Sequence, residues 1–367
     1  MADVFTLEAL DARYGDSLLL HYGDVTDPRL IVIDGGPTSV YADALRPRLD
    51  EIQQKRGGGQ LEIRMLMVSH IDLDHINGVL KLTEALRKDQ DAGRQLPFDI
   101  LTLWHNSFDD LVGAAGATAL AAAGAEAAGF GDAGAVIAGV KEGRRLRQDA
   151  DALAINMNSG FDALIQFDKK ARPLKIGGKL TFTVVGPRKP ELDKLKKDWK
   201  EKQKEAALAE TAKPDTSIPN LSSLVVLATF GDATTNKTML LTGDARGGYI
   251  VDSLREAGLL KNGTIKVDVL KLPHHGSARN CSKDLLKAVL ADHYIVSANG
   301  QNDNPDNETF DNLFEVRPTG KYTIWLTNDV PDAVKHIKAK KPASVKLQVR
   351  KKVERSIRIE LGAGIAW

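Results

Sequence analysis

The sequence predicts a layered α/β protein in which two β-sheets lie face to face under covering helices. Three observations predict it. The first third alternates short apolar, β-branched runs with stretches of helical spacing. The final part returns to the same grammar, and the segment between them differs from both in composition. With 367 residues the chain can bury a large core, and we read residues 1–367 as one domain carrying an insertion over 107–215.

The elements follow in order. "VFTLEAL" and "SLLLHYG" read as strands joined by the turn-rich "DARYGD". "RLIVIDGG" is a strand that stops at Asp34, Gly35 and Gly36, where glycines allow backbone to approach something closely. "ADALRPRLDEIQQKRGGG" has helical spacing and ends in a glycine cluster. "IRMLMVSH" is the next strand, "HINGVLKLTEALRKDQ" a helix with Val79, Leu80, Leu82 and Leu86 on its apolar face, and "FDILTLWHN" another strand. The Ala/Gly-rich stretch near 107–140 predicts a pair of small-residue helices or a lid over the functional edge. "KPELDKLKKDWKEKQKEAALAETAK" is a charged helical run, and a strand pair is expected near "LKIGGKLTFTVVGP". Further on, "SSLVVLATF" and "KTMLLTGDA" form a hairpin. "GGYIVDSLREAGLL" and "KDLLKAVL" are helical, while "VDVLKLPHHGS", "HYIVSAN" and "KYTIWLTND" are strands. "SVKLQVRKK" and "RSIRIELG" are expected to close the fold as a strand pair.

Composition narrows the function classes. Lys plus Arg is 50 against 49 for Asp plus Glu, a net charge of +1, so no global pull on nucleic acid is indicated. The single cysteine, Cys281, excludes an intramolecular disulfide and a Cys-rich zinc module. The N-terminal stretch lacks a basic region followed by an apolar core, and no run reaches the roughly 18 apolar residues of a membrane helix. The expectation is a cytoplasmic protein without a membrane partner. His21, His293 and His336 read as non-catalytic, and the Lys/Arg cluster from "KHIKAKK" onward reads as a solvated edge.

Three strand ends carry the chemistry. The first is His70-x-Asp72-x-Asp74-His75, the second is Asp244 in "LLTGDA", and the third is His274-His275 in "LKLPHHGS". Burying such charge is costly unless it is paired or bound to a metal. Imidazole with carboxylate suits zinc and other borderline divalent ions. His70, Asp72 and Asp74 can line one wall, and His75 opens the helix beside them. Four ligands at that spacing can serve two ions, which Asp244 could bridge. Two ions about 3.5–4 Å apart can activate a shared water and stabilise both attacking and leaving oxygens.

"SHIDLDHINGV", "LIVIDGG", "LLTGDA" and "LPHHGS", in this order, resemble the signature of the metallo-β-lactamase superfamily. With Asp72 at the second motif position, the chain is most similar to the soluble hydrolase domain of competence DNA-uptake proteins and its stand-alone relatives. The resemblance implies a four-layered αββα sandwich, here with a helical insertion, and a dinuclear metal site at one edge of the sheets. It implies that His70 and Asp72 hold the first ion, Asp74 and His75 the second, and that Asp244 bridges them. One of His274 and His275 completes the second site, with His275 favoured. Asp34 supports the site from behind. Many members supply another histidine before the "TGD" strand, which this chain lacks, so Asn220 or Ser222 would complete the first site. His105 and Ser277 are further candidates to touch substrate or support ligands. Zinc is one expectation for the two divalent ions, and manganese is the other because Asp72 and Asp244 enrich the site in oxygen.

The expected activity is hydrolysis by a metal-bound hydroxide, oriented by Asp74 or Asp244 and with no side-chain nucleophile. A phosphodiester is the expected substrate, with nucleic acid first among candidates. Hydrolysis of a small ester, thioester or lactam is the alternative, as is a regulatory or binding protein with a vestigial metal site.

Overall fold

Three separate hydrophobic layers define the architecture. The computed structural model describes residues 2–107, 110, 131–162, 164–206, 219–232 and 234–367. Its first half supplies β1 (Asp3–Leu10), β2 (Leu18–Asp24), β3 (Asp27–Ile33), α1 (Arg46–Lys55), β4 (Leu61–Ile63), β5 (Met65–Met67), α2 (Leu73–Asp91), β6 (Phe98–Ile100) and β7 (Thr102–Trp104). The middle adds α3 (Gly131–Ala152), β8 (Asn156–Met157), β9 (Leu174–Gly177), β10 (Leu180–Gly186) and α4 (Lys189–Ala206). The second half adds β11 (Val225–Phe230), β12 (Lys237–Leu241), α5 (Gly247–Glu256), β13 (Ile265–Lys271), α6 (Lys283–Ala288), β14 (Val289–Val296), α7 (Asn307–Val316), β15 (Thr323–Leu326), α8 (Pro331–Lys340), β16 (Lys346–Val349) and β17 (Ser356–Glu360).

The strands form a seven-stranded sheet, β17-β1-β2-β3-β5-β7-β8, and an eight-stranded sheet, β16-β15-β14-β13-β12-β11-β10-β9. Period-2 alternation assigns their faces. Phe5, Leu7 and Ala9 of β1 meet Phe182, Val226, Met239, Val269 and Ile295 in the layer between the sheets. Val4 and Leu10, on the opposite face, join Leu49, Ile52, Ile76 and Val79 under α1 and α2. Tyr294 and Val296 join Leu254, Leu286, Phe310 and Ile337 beneath α5 to α8. Three apolar layers between four structural ones make an αββα sandwich.

In both sheets antiparallel strands give way to parallel ones: β3, β5, β7 and β8 in the first, β12 to β16 in the second. The carboxyl ends of parallel strands are where α/β sheets place their ligands. Asp34, His70, Asp244 and His274 all lie just beyond such ends.

Several sequence expectations need correction. "IRMLMVSH" is not one strand: β4 pairs with β6 in a separate two-stranded sheet, while β5 joins the seven-stranded one. The break falls at Arg64, whose N–H donates to the Leu30 carbonyl at 2.8 Å. "FDILTLWHN" divides in the same way at Leu101, which donates to Ile63. The last two strands do not pair with each other. β16 runs parallel to β15, and β17 runs antiparallel to β1, so the chain crosses between sheets. Ile357 and Ile359 bury into the layer between the sheets, and buried Arg350 fastens the crossing by donating to Asp11, Asn328 and the Thr327 carbonyl.

The strand pair foreseen near "LKIGGKLTFTVVGP" is β9–β10, which extends the eight-stranded sheet. Most of the Ala/Gly-rich stretch foreseen as a lid lies outside the described residues, and so does part of the charged run. Its described end, α3, packs closely on the main motif. A Cβ on Gly139 would lie 2.5 Å from the Ile71 carbonyl oxygen, so helix and loop approach as only glycine permits. Ile71 also shares an apolar cluster with Val140 of α3, Leu192 and Leu195 of α4, and Leu221.

Candidate metal centre

The first wall of the site is built on β3, β5 and α2. Asp34 ends β3 with a φ of 57°, and its carboxylate accepts the Ser69 amide at 2.7 Å and the Ser69 hydroxyl at 2.6 Å. The glycines after it serve a close approach. Gly35 donates to His75 O, Gly78 donates to Gly36 O, and a Cβ on Gly78 would fall 1.9 Å from Gly35 O. The first turn of α2 is thereby seated on the end of β3. Asp72 occupies the N-cap of α2, a position where aspartate ordinarily accepts a helix amide, yet its side chain makes no capping bond. Instead Asp72 Oδ2 lies 3.4 Å from His70 Nε2.

The second wall comes from β12 and β13. Asp244 sits in the turn after β12, and Asn280 Nδ2 holds that turn by donating to the carbonyls of Asp244 (2.9 Å) and Ala245 (3.3 Å). After β13 the backbone enters the left-handed region at three successive residues, His274 (φ 48°), His275 (φ 54°) and Gly276 (φ 85°). Such conformations are unfavourable for non-glycine residues and persist where surrounding structure imposes them. Here the consequence is that two adjacent rings face the same atom.

That atom is Asp244 Oδ2. The Nε2 atoms of His275, His75, His70 and His274 lie 3.4, 3.5, 3.7 and 3.8 Å from it. Each ring has its other nitrogen engaged. His75 Nδ1 donates to Asp34 Oδ2 at 2.9 Å and His275 Nδ1 to the Ser297 carbonyl at 2.9 Å. Ser69 Oγ, whose proton points to Asp34, faces His70 Nδ1 at 3.1 Å, and Asn280 Oδ1 faces His274 Nδ1 at 3.2 Å. An acceptor at Nδ1 fixes the tautomer that leaves the Nε2 lone pair free for a metal. Asp74 closes the group, with Oδ2 at 3.3 Å from His275 Nε2 and Oδ1 at 4.0 Å from His75 Nε2.

The buried Nε2 atoms of His70, His75 and His275, with Asp244 Oδ1 and Asp16 Oδ1, have no hydrogen-bond partner among the described residues. Buried polar atoms are normally satisfied, so several converging without partners mark a place for a missing charge. The charges agree. Burial disfavours the ionised forms, yet His275 and His75 hold Asp244 well below the usual carboxylate range. Conversely, burial opposes charging His75 and His275, but Asp244 above all raises both well above the ordinary imidazole value. A pocket that draws protons onto its imidazoles is short of cations, and the carboxylates on the Nε2 side, Asp72, Asp74 and Asp244, suit divalent ions in their place. The residues present therefore fit metal.

The family follows from this arrangement and from sequence comparison. A family model described as the Metallo-beta-lactamase superfamily matches residues 11–300. The chain belongs to the metallo-β-lactamase superfamily. Members of the superfamily typically bind metal ions, in keeping with the donor set here. Among solved structures, the metallo-beta-lactamase fold protein YhfI from Bacillus subtilis is similar over 97% of this chain and 99% of that chain, at 11% identity and a TM-score of 0.40. A search of curated proteins returned no match.

Of the residues singled out from sequence, the structure brings His70, Asp72, Asp74, His75, Asp244, His274 and His275 around one point, with Asp34 behind them. Asn220 lies at the rim, its amide 3.4 Å from His274 Nδ1, and Ser222 is buried in the same turn. Ser277 stabilises the left-handed turn through its backbone, donating to His274 O. His105 is not in the group: its Nε2 lies 3.2 Å from where a Gly143 Cβ would stand, against α3. Burial and then Arg147 push its pKa down to about 3.

Sequence reasoning missed Asp16, Lys271 and Asn280. Asp16, His75, Asp244 and His275 present ligand atoms within 4.8 Å of one another. Asp16 stands on the Nδ1 side of two rings, 3.5 Å from His275 and 3.9 Å from His75, away from the Nε2 atoms that face Asp244. Its counter-ion is Lys271, fully buried, in direct contact with Asp16 Oδ2 and 3.7 Å from Asp244 Oδ1. Burial would raise the Asp16 carboxyl, but Lys271 and then His275 bring it far below its usual range. The available signals were slight: an Asp after Gly15 in a turn, and a lysine at the end of a strand that carries another.

Proposed function

We propose that the protein is a metal-dependent hydrolase working with two divalent cations, zinc or manganese, and that its substrate is a phosphodiester, with nucleic acid the first candidate. The observation that carries the metal-dependent reading is the set of four Nε2 atoms, each with its Nδ1 engaged, around Asp244 Oδ2. His70 and Asp72 would serve one cation, Asp74, His75 and His275 the other, and Asp244 both. Bound cations would supply Lewis acidity for activating water and for stabilising the negative charge that develops on substrate oxygens.

The chain's own residues do the rest. Asp34, Ser69, Ser297 and Asn280 hold the imidazoles in the donating tautomer. Lys271 stands 3.7 Å from Asp244 Oδ1, while Oδ2 faces the imidazoles. Asp74, the part-exposed carboxylate of the second group, would orient an attacking water. The phosphodiester preference is supported by the oxygen-rich first group, where Asp72 stands beside His70, and by the resemblance of the motif set to nuclease-like members. To test it, pure protein with Mn²⁺ or Zn²⁺ is incubated with single- and double-stranded DNA, RNA, bis(p-nitrophenyl)phosphate and a β-lactam. We expect turnover of a phosphodiester that EDTA abolishes. Turnover of the lactam alone would reject the substrate class, and turnover unaffected by metal removal would reject the metal-dependent reading.

A further inference from the structure

We infer that His274 is a metal ligand in its own right, completing the half of the site formed by His70 and Asp72, so that both histidines of the "HH" pair bind cations. The inference rests on the dinuclear reading above and adds a residue to it. The two halves differ in donors. Asp74 lies against both His75 and His275, whereas among the described residues Asp72 is paired with His70 alone. His274 Nε2, 3.8 Å from Asp244 Oδ2, is the remaining imidazole nitrogen facing the shared carboxylate.

Two contacts place it on the poorer side. Its Nδ1 lies 3.4 Å from the Asn220 amide, and the segment that carries Asn220 runs beside the His70 strand end, with the Leu224 amide donating to Ser69 O at 2.8 Å. The orientation of the ring is imposed. Asn280 spends its Nδ2 on the carbonyls of Asp244 and Ala245, which turns its Oδ1 to His274 Nδ1. One asparagine thus fixes both the bridging turn and the His274 tautomer. His274 itself sits at a φ of 48°, a conformation that persists in a non-glycine residue where the surrounding structure imposes it.

The test compares metal-stripped wild type with His274→Gly and Asp72→Ala by calorimetric titration of Mn²⁺ and by its EPR spectrum. Glycine accepts a φ of 48° without strain, so His274→Gly should unfold no earlier than wild type when metal-free, which separates ligand loss from misfolding. We expect wild type to take up two cations. His274→Gly should keep one at near wild-type affinity and bind the second at least about 100-fold more weakly, with the spectrum changing from a coupled pair to an isolated ion. Asp72→Ala should give the same pattern, and the double variant should weaken the retained cation no further. Two cations bound by His274→Gly with unchanged affinity would overturn the inference and assign the half-exposed ring to substrate contact, leaving the dinuclear reading intact. No uptake by wild type would instead remove the dinuclear reading itself.

Discussion

Two clusters of buried charge stand in this molecule, and they are built in opposite ways. Between the seven-stranded sheet and α1, Glu8 receives His21 Nε2 (2.9 Å), Arg48 Nε (2.8 Å) and Nη2 (3.2 Å), and the Ser356 hydroxyl. The other His21 nitrogen takes the Trp367 indole N–H at 3.3 Å, and Arg48 reaches the Trp367 carbonyl at 2.7 Å. Every polar atom of Glu8 and His21 has a partner. At the carboxyl ends of β5, β12 and β13, by contrast, only one nitrogen of each imidazole is engaged while the other points at Asp244. The closed cluster fastens strands β1, β2 and β17 to α1 and the C-terminus. The open one leaves buried nitrogens facing one carboxylate without hydrogen-bond partners among the described residues, and the proposed cations would complete it. Counting histidines and carboxylates would not tell them apart, and counting unpartnered atoms does.

The sharpest way to break the comparison is Asp244→Ala. Removing the atom on which the four rings converge should abolish binding of both cations and lower hydrolysis by roughly 10³-fold or more, the several kcal/mol expected of bound cations. Metal content and turnover on a substrate from the panel above check this. If Asp244→Ala retained two ions, the open cluster would have been misread.

Lys271→Met probes the support beneath the open cluster. It strips Asp16 of its counter-ion inside the core, so metal-free stability should fall by about 3–5 kcal/mol in urea titrations. Part of that loss should be recovered when cations are added, because they supply positive charge to the same carboxylates.

Glu8→Gln probes the closed cluster. It takes from Arg48 its buried carboxylate, leaving the part-exposed Glu51 at 3.0 Å as its remaining acidic partner among the described residues, and should cost up to about 3 kcal/mol, with two cations still bound. Its pH signature is distinct. Burial alone would raise the Glu8 carboxyl, but His21 and Arg48 hold it far below its ordinary value of 4.5. A carboxylate with a depressed folded-state pKa gives stability that is present above about 4.5 and lost as pH falls below it. Wild type should therefore lose stability more steeply than Glu8→Gln on acidification below that point, measured by urea midpoints across the range.

The smallest effect belongs to His105, which fits neither cluster. Both of its nitrogens are without a hydrogen-bond partner among the described residues, and it is held neutral. His105→Leu should change stability by less than about 1 kcal/mol and leave metal stoichiometry untouched. Loss of a cation in that variant would move His105 into the open cluster.

Much of the open cluster was legible because its donors are local in sequence. His70 to His75 is one contiguous motif, and Asp244 and His274–His275 each follow an apolar run that reads as a strand. The "DGG" after β3 was legible as a place of close approach, although what approaches, Gly78 of α2, was not. Asp16 was hidden because an aspartate in "DARYGD" is an ordinary turn residue. Lys271 was hidden because a single lysine in "VDVLKLP" says nothing of its depth. The closing strands were misjudged because adjacency in sequence favours a hairpin, whereas Ile357 and Ile359 find their apolar partners in the other sheet.

By itself the sequence determined the inventory: a layered α/β chain and a donor set of imidazoles and carboxylates at the ends of its strands. Period-2 and helical spacing carry that information locally. The tertiary structure decided which nitrogen each ring presents and which carboxylates are already neutralised. Those choices are made by Asp34, Asn280, Ser297 and Lys271. Each stands on a different segment of the chain: Asp34 and Ser297 reach their rings across neighbouring strand ends of one sheet, and packing the two sheets together brings Lys271 to Asp16 and the rings of both halves to Asp244.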